Sequence, residues 1–145
     1  MSHHEVVLLL GSNLGKPEHN IALAIAKIEV SLGKVVATTQ PLRTEPTEFV
    51  SSNYFCNIAL RLKTRLSPVG LLKEIKIIEQ SMGRLEDSMI TKEYVDRVID
   101  IDIVKFGNIT FSSAFLQIPH HKHMQVRDFS RQLLADLNDT VNTQI

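Results

Sequence analysis

The chain has 145 residues, 43% of them apolar, which suits one folded domain over residues 1–145 and leaves too little chain for two cores. Lysine plus arginine number 16 and aspartate plus glutamate 16, so the bulk positive field of a nucleic-acid binder is missing and a bound anion must be held by a few placed cations. The single cysteine, Cys56, excludes an internal disulfide and fits a reducing, cytoplasmic setting, where it reads as a buried filler rather than a nucleophile.

The polar start, with His3 and His4, predicts an uninvolved terminus. Residues 6–10 are a continuous apolar run, too short to cross a membrane, and predict a strand buried on both faces. Gly11-Ser-Asn13 breaks that run but lacks the lysine spacing of a phosphate loop. Pro17 opens a helix whose Ile21, Ile25, Ile28 and Leu32 recur at helical spacing, and Gly33 stops it. Residues 34–42 predict a second strand, 43–53 a loop carrying Pro46, and 54–63 a third strand. Ser67-Pro68 caps a second helix with a stripe of Leu71, Leu72, Ile75, Ile78 and Met82, ended by Gly83. Residues 84–96 have no period and read as an acidic loop over a site. Residues 98–106 predict a fourth strand, Gly107-Asn108 a turn, 109–111 a short extra strand and 124–138 a C-terminal helix.

Strand, helix, strand, strand, helix, strand is the ferredoxin-like βαββαβ order of an α+β domain. It predicts an antiparallel sheet with both helices on one face and the other face free for a ligand. The fold does not name the ligand.

Alternation along the fourth strand puts Asp100 and Asp102 on one face and Ile99, Ile101 and Ile103 on the other. Two carboxylates side by side suit a hard cation such as magnesium, or else a polar outer face of an edge strand. Arg84 and Arg97 flank the acidic loop; guanidinium groups bind phosphate oxygens in pairs, and surface ion pairs with Glu86, Asp96 or Asp100 are the plainer alternative. Pro119-His-His-Lys-His123 and Arg127 form a basic cluster that could line an anion site or remain a solvated loop. Phe55 and Asn57 share a strand face, where a ring and an amide could cradle a flat heterocycle, with Phe129 as the opposite slice; a core aromatic beside a sheet amide is the alternative.

Taken in order, Gly11-Ser-Asn-Leu14, Arg43-Thr-Glu-Pro46, Phe55-Cys-Asn57, Leu66-Ser-Pro68, Ile78-Glu79, Gly83-Arg84, Arg97-Val-Ile-Asp-Ile-Asp-Ile103, Phe106-Gly107, Pro119-His120 and Met124-Gln-Val-Arg-Asp-Phe129 resemble the 6-hydroxymethyl-7,8-dihydropterin pyrophosphokinases of folate synthesis. The likeness runs over residues 6–137. It implies an ATP-dependent diphosphotransferase that releases AMP, acting as a monomer on a pterin and ATP, with no nucleic acid and no membrane. It implies that Asp100 and Asp102 hold two Mg2+ ions and that Arg84 and Arg97 are catalytic arginines on the ATP phosphates. It further implies that Lys76, Ile103, His120 and Arg127 meet ATP, and that Thr44, Phe55, Asn57, Asp100 and Phe129 meet the pterin. The chain departs from the family at Tyr94-Val-Asp-Arg97, where a Trp-Gly-Pro-Arg type run is usual, and in a longer loop after Arg84. Those departures motivate an alternative, a weakened or inactive relative that still binds nucleotide or pterin. An RNA-binding ferredoxin-like domain is disfavoured by the balanced charge and missing aromatic motifs.

Overall fold

The computed structural model describes residues 3–44, 54–83, 98–120 and 128–143. In chain order these form β1 (His4–Ser12), α1 (Pro17–Ser31), β2 (Lys34–Thr38), β3 (Leu42–Thr44), β4 (Phe55–Thr64), α2 (Pro68–Ser81), β5 (Asp100–Phe106), β6 (Phe111–Ser112), β7 (Gln117–Ile118) and α3 (Asp128–Thr143). The main sheet runs β2-β4-β1-β5, all antiparallel, with β3 also paired to β4. This is the α+β, ferredoxin-like arrangement expected from the element order.

β1 lies between β4 and β5, and its apolar run is buried on both faces. Val6, Leu8 and Leu10 face the helix layer, where Ile21, Ala24 and Ile28 of α1 and Leu71, Ile75 and Ile78 of α2 close the main core. Each helix starts where the chemistry favours a start. Pro17 lends α1 its fixed φ, and the Ser67 Oγ accepts the Gly70 N–H at 3.0 Å. Full burial of each Leu, Ile or Phe here contributes about 1.5–3 kcal/mol.

Several boundaries differ from expectation, each for a visible reason. β1 does not stop at Leu10: Gly11 and Ser12 stay in the ladder, opposite Asn57 and Cys56. The turn comes one step later, closed by the Asn20 Nδ2 donating to the Leu14 carbonyl at 2.8 Å. The strand expected over 34–42 splits in two. At the break the Thr39 Oγ1 takes the Ala59 N–H at 3.0 Å in place of a backbone carbonyl, and Pro41 has no N–H to give. Pairing resumes at β3, so Arg43 and Thr44, expected in a loop, are strand residues. The extra strand is Phe111–Ser112 rather than 109–111, and it pairs with Gln117–Ile118 as a separate ribbon. His4 is not a frayed end; it lies in β1 with its ring 4.9 Å from that of Phe106.

The largest correction concerns the face expected to be free. Val7, Leu9, Ala37, Ala59 and Val104 make half of it apolar, and α3 buries Leu133 and Leu137 against them. The part of this face that α3 leaves to polar residues lies at the Gly11 end of β1.

Candidate active site

Three strands place the polar residues in one row. Asn57 of β4 pairs with Gly11 of β1, and Gly11 pairs with Asp100 of β5. Directly opposed residues share a face, so Asn57 and Asp100 look out on the same side, two strand spacings or about 10 Å apart. One row further in, Leu9 lies between Ala59 and Asp102. β3 extends the first row, with Leu42 opposite Asn57 and Thr44 opposite Phe55. Asp100, Asp102, Asn57, Phe55 and Thr44 thus share one face: alternation predicted the pairs Asp100 with Asp102 and Phe55 with Asn57, and the register between strands brings the two pairs and Thr44 together. Phe129 of α3 packs against the second core, as does Leu42 of β3.

Gly11 is what leaves the row open. A Cβ built there would meet the Asn57 Oδ1 at 2.6 Å. Without it, the Asn57 amide lies over β1, only 5% exposed. Its Nδ2 is buried with no hydrogen-bond partner among the described residues. A buried N–H without an acceptor costs about 1–3 kcal/mol, so a folded chain keeps one where something else supplies the acceptor.

Among the described residues the aspartates sit on the edge strand of the sheet, and both are half-buried. Two features hold that edge. The Glu79 Oε2 of α2 accepts the Ile101 N–H at 2.8 Å, between the two aspartates, and the His120 N–H donates to the Val104 carbonyl at 2.9 Å. Glu79 is 1% exposed and also lies 3.5 Å from the Lys76 Nζ. Lys76 is thereby tied to the aspartate strand from the helix side. Glu79 carries no role in the sequence reading. The available signal was an acid inside the buried stripe of α2, next to Ile78 and four residues after Ile75.

Ile103 buries its side chain in the helix-side core, which leaves only its backbone to meet a ligand. Arg84, Arg97 and Arg127 lie outside the described residues. Oxygen donors such as Asp100 and Asp102 fit a hard divalent cation that takes its remaining ligands from phosphate and water. Among the described residues no group of three or more His, Cys, Asp or Glu could hold a metal, and His121 and His123 of the basic cluster lie outside those residues.

Behind the row, on the helix side, the Glu18 carboxylate of α1 joins β3 to the residue before β4. Its Oε1 accepts from the Arg43 Nε at 2.9 Å, and its Oε2 accepts from the Tyr54 hydroxyl at 3.2 Å. The Arg43 guanidinium lies 4.8 Å from the centre of the Tyr54 ring. A backbone N–H at the helix start holds the Glu18 carboxyl below the usual range, and Arg43 and Tyr54 act in the same direction against partial desolvation. Burial pushes the Tyr54 hydroxyl up, as does its bond to Glu18. Burial likewise raises the Cys56 thiol, consistent with an inert filler.

Comparison with known proteins gives this geometry a context. The family model for 7,8-dihydro-6-hydroxymethylpterin-pyrophosphokinase matches residues 7–139. The 2-amino-4-hydroxy-6-hydroxymethyldihydropteridine pyrophosphokinase of Porphyromonas gingivalis is 34% identical over 133 residues, 91% of this chain and 89% of that protein. The Pseudomonas aeruginosa protein of the same name is 33% identical over 133 residues, 91% of this chain and 79% of its own length. The mitochondrial folate synthesis bifunctional protein of Arabidopsis thaliana is 35% identical, and this chain spans 26% of it. A crystal structure described as HPPK-DHPS in complex with substrates shares the fold, with a TM-score of 0.69 at 18% identity over 97% of this chain and 40% of that one.

Proposed function

The chain belongs to the 7,8-dihydro-6-hydroxymethylpterin-pyrophosphokinase family, and on that premise we propose that it transfers pyrophosphate from ATP to the hydroxymethyl group of 6-hydroxymethyl-7,8-dihydropterin, releasing AMP, in folate synthesis. The observation that supports carrying the reading to this chain's own residues is the row Asn57–Gly11–Asp100, in which the Asn57 Oδ1 lies where a Cβ of residue 11 would be and the Asn57 Nδ2 is buried with no partner among the described residues.

In this reading the pterin ring lies over the β4 end of the row. The Asn57 amide offers paired donor and acceptor to its edge, the Thr44 backbone adds a further contact, and Phe55 and Phe129 flank its faces. The hydroxymethyl oxygen then points along the row toward Asp100. That oxygen forms a bond to the β-phosphorus while the bond to the bridging oxygen breaks, and AMP leaves with the bridging oxygen. The hydroxyl proton goes to Asp100 or to water.

Asp100 and Asp102 would hold Mg2+, two ions in our assignment, which when bound offsets charge on the ATP phosphates. Lys76, His120, Arg127 and the Ile103 backbone are assigned to the nucleotide. Arg84 and Arg97 are assigned to the spreading negative charge of the transition state. We assign a monomer in the cytoplasm, acting on small molecules with neither nucleic acid nor membrane as partner. The lone buried thiol and the balanced charge support that setting, and among the described residues no helix is long and apolar enough to cross a membrane.

The test is AMP release that requires the pterin alcohol, ATP and magnesium together. Folded protein that yields no AMP at saturating substrate defeats the reading. Asp102→Ala should abolish magnesium-dependent binding of a non-hydrolysable ATP analogue in calorimetry; retained binding removes Asp102 from the metal centre.

A further inference from the structure

The contacts of Glu18, Arg43 and Tyr54 reach across the chain in a way the assigned chemistry does not use. Arg43 is one residue before Thr44, and Tyr54 one residue before Phe55. Arg43 pairs with Cys56, so it faces the helix side while Thr44, Phe55 and Asn57 face the site. A single carboxylate on the first turn of α1 therefore grips, from behind, both chain segments that carry the pterin contacts.

We propose that Glu18, Arg43 and Tyr54 form a positioning latch for the pterin subsite, setting how the end of β3 sits against the start of β4. The inference rests on the assignment of Thr44, Phe55 and Asn57 to the pterin. Energetics favour a geometric role over a stabilising one. The Arg43 and Glu18 side chains are 65% and 38% exposed, and an ion pair that open contributes little to global stability. The arrangement is nonetheless directional. Arg43 donates to Oε1, the Tyr54 hydroxyl lies 3.2 Å from Oε2 and 3.4 Å from Oε1, and Arg43 also lies against the Tyr54 ring, so three groups define one relative placement of β3 and β4. The first turn of α1 is itself anchored to the end of β1, because Asn20 Nδ2 donates to the Ser12 Oγ at 3.2 Å and to the Leu14 carbonyl. The latch thus refers the β3 edge to the strand that carries Gly11.

Loss of the latch lowers the fraction of molecules with Thr44 and Phe55 correctly placed, and apparent affinity falls with that fraction. The experiment compares wild-type protein with Glu18→Ala, Tyr54→Phe and Arg43→Lys. The pterin alcohol is titrated in the presence of magnesium and a non-hydrolysable ATP analogue, and the analogue is also titrated alone. Hydrogen exchange is read at the amides of residues 42–44 and 55–57. We expect Glu18→Ala and Tyr54→Phe to weaken pterin binding about threefold to tenfold. Analogue affinity should hold, Tm should fall only by the small contribution of an exposed ion pair, exchange at 42–44 should quicken, and Arg43→Lys, which keeps a cation for Glu18, should stay close to wild type. Unchanged pterin affinity with unchanged exchange overturns the latch. So does an equal loss of both ligands with a fall in Tm, the mark of a general structural contact. If the wild-type protein binds no pterin, the proposed function fails instead. Exchange at 42–44 then decides the latch alone: faster exchange in Glu18→Ala upholds it and unchanged exchange overturns it.

Discussion

Asn57 carries the cost of an unfilled site. Its Nδ2 is buried without an acceptor among the described residues, so part of the native state's stability is given up until a ligand arrives. Asn57→Leu replaces that amide with an apolar group of similar size. We expect thermal unfolding to show equal or greater stability, by up to about 1 kcal/mol, and calorimetry to show no pterin binding. A large drop in Tm would mean that the amide is a structural contact. Gly11→Ala tests the same row from the neighbouring strand. The added methyl must displace the Asn57 Oδ1, which would lie 2.6 Å from it. Pterin affinity should fall at least tenfold (~1.4 kcal/mol) while analogue binding holds, since β-strands tolerate alanine in place of glycine. The pairs Phe55 with Asn57 and Asp100 with Asp102 were legible in the sequence because a period of two fixes which residues of one strand share a face. The role of Gly11 was not, because it depends on which residues lie opposite it on two other strands.

Elements were legible where local chemistry decides them and obscure where tertiary pairing does. Ser67-Pro68 and Pro17 marked helix starts correctly, since capping and a fixed φ act within one turn. The break in the 34–42 run was missed although Pro41 stood in it, because Thr39 and Ala59 decide it across the sheet. The covering of half the site face by α3 was also missed. It depends on Val7, Leu9, Ala59 and Val104 coming together from three strands. The grip of Glu79 on β5 belongs to this class, a bond between residues 22 apart. Glu79→Ala should strand the Ile101 N–H and cost about 1–3 kcal/mol in urea unfolding. Glu79→Gln, which keeps an acceptor, should recover most of that loss. If both variants unfold like wild type, the bond does not hold the aspartate strand.

For the whole molecule, pH reaches stability through groups whose folded and unfolded states differ. Glu18, facing Arg43, Tyr54 and Cys56, has its carboxyl held below the ordinary value of 4.5. The unfolded chain takes up that proton first, so the contribution of Glu18 is complete above the ordinary range and is lost as pH falls through the folded value. Tyr54 acts at the other end. Its hydroxyl is raised above 10.0, so the unfolded chain ionises first and stability declines as pH climbs past that value. Glu18→Gln should flatten the fall in Tm from about pH 6 to about pH 3, and an unchanged acid limb would remove Glu18 from it. The strand that carries Asp100 and Asp102 also has a meaning for the protein among its own copies. As the last strand of the sheet among the described residues, β5 would offer its outer N–H and carbonyl groups as a template for another chain's strand. The Glu79 carboxylate takes the Ile101 N–H, the His120 N–H takes the Val104 carbonyl, and two acidic side chains stand on the adjacent face. The contacts that hold the aspartate strand therefore also occupy groups through which the sheet could grow, and the edge to which we assign the phosphate chemistry is at the same time a blunted one.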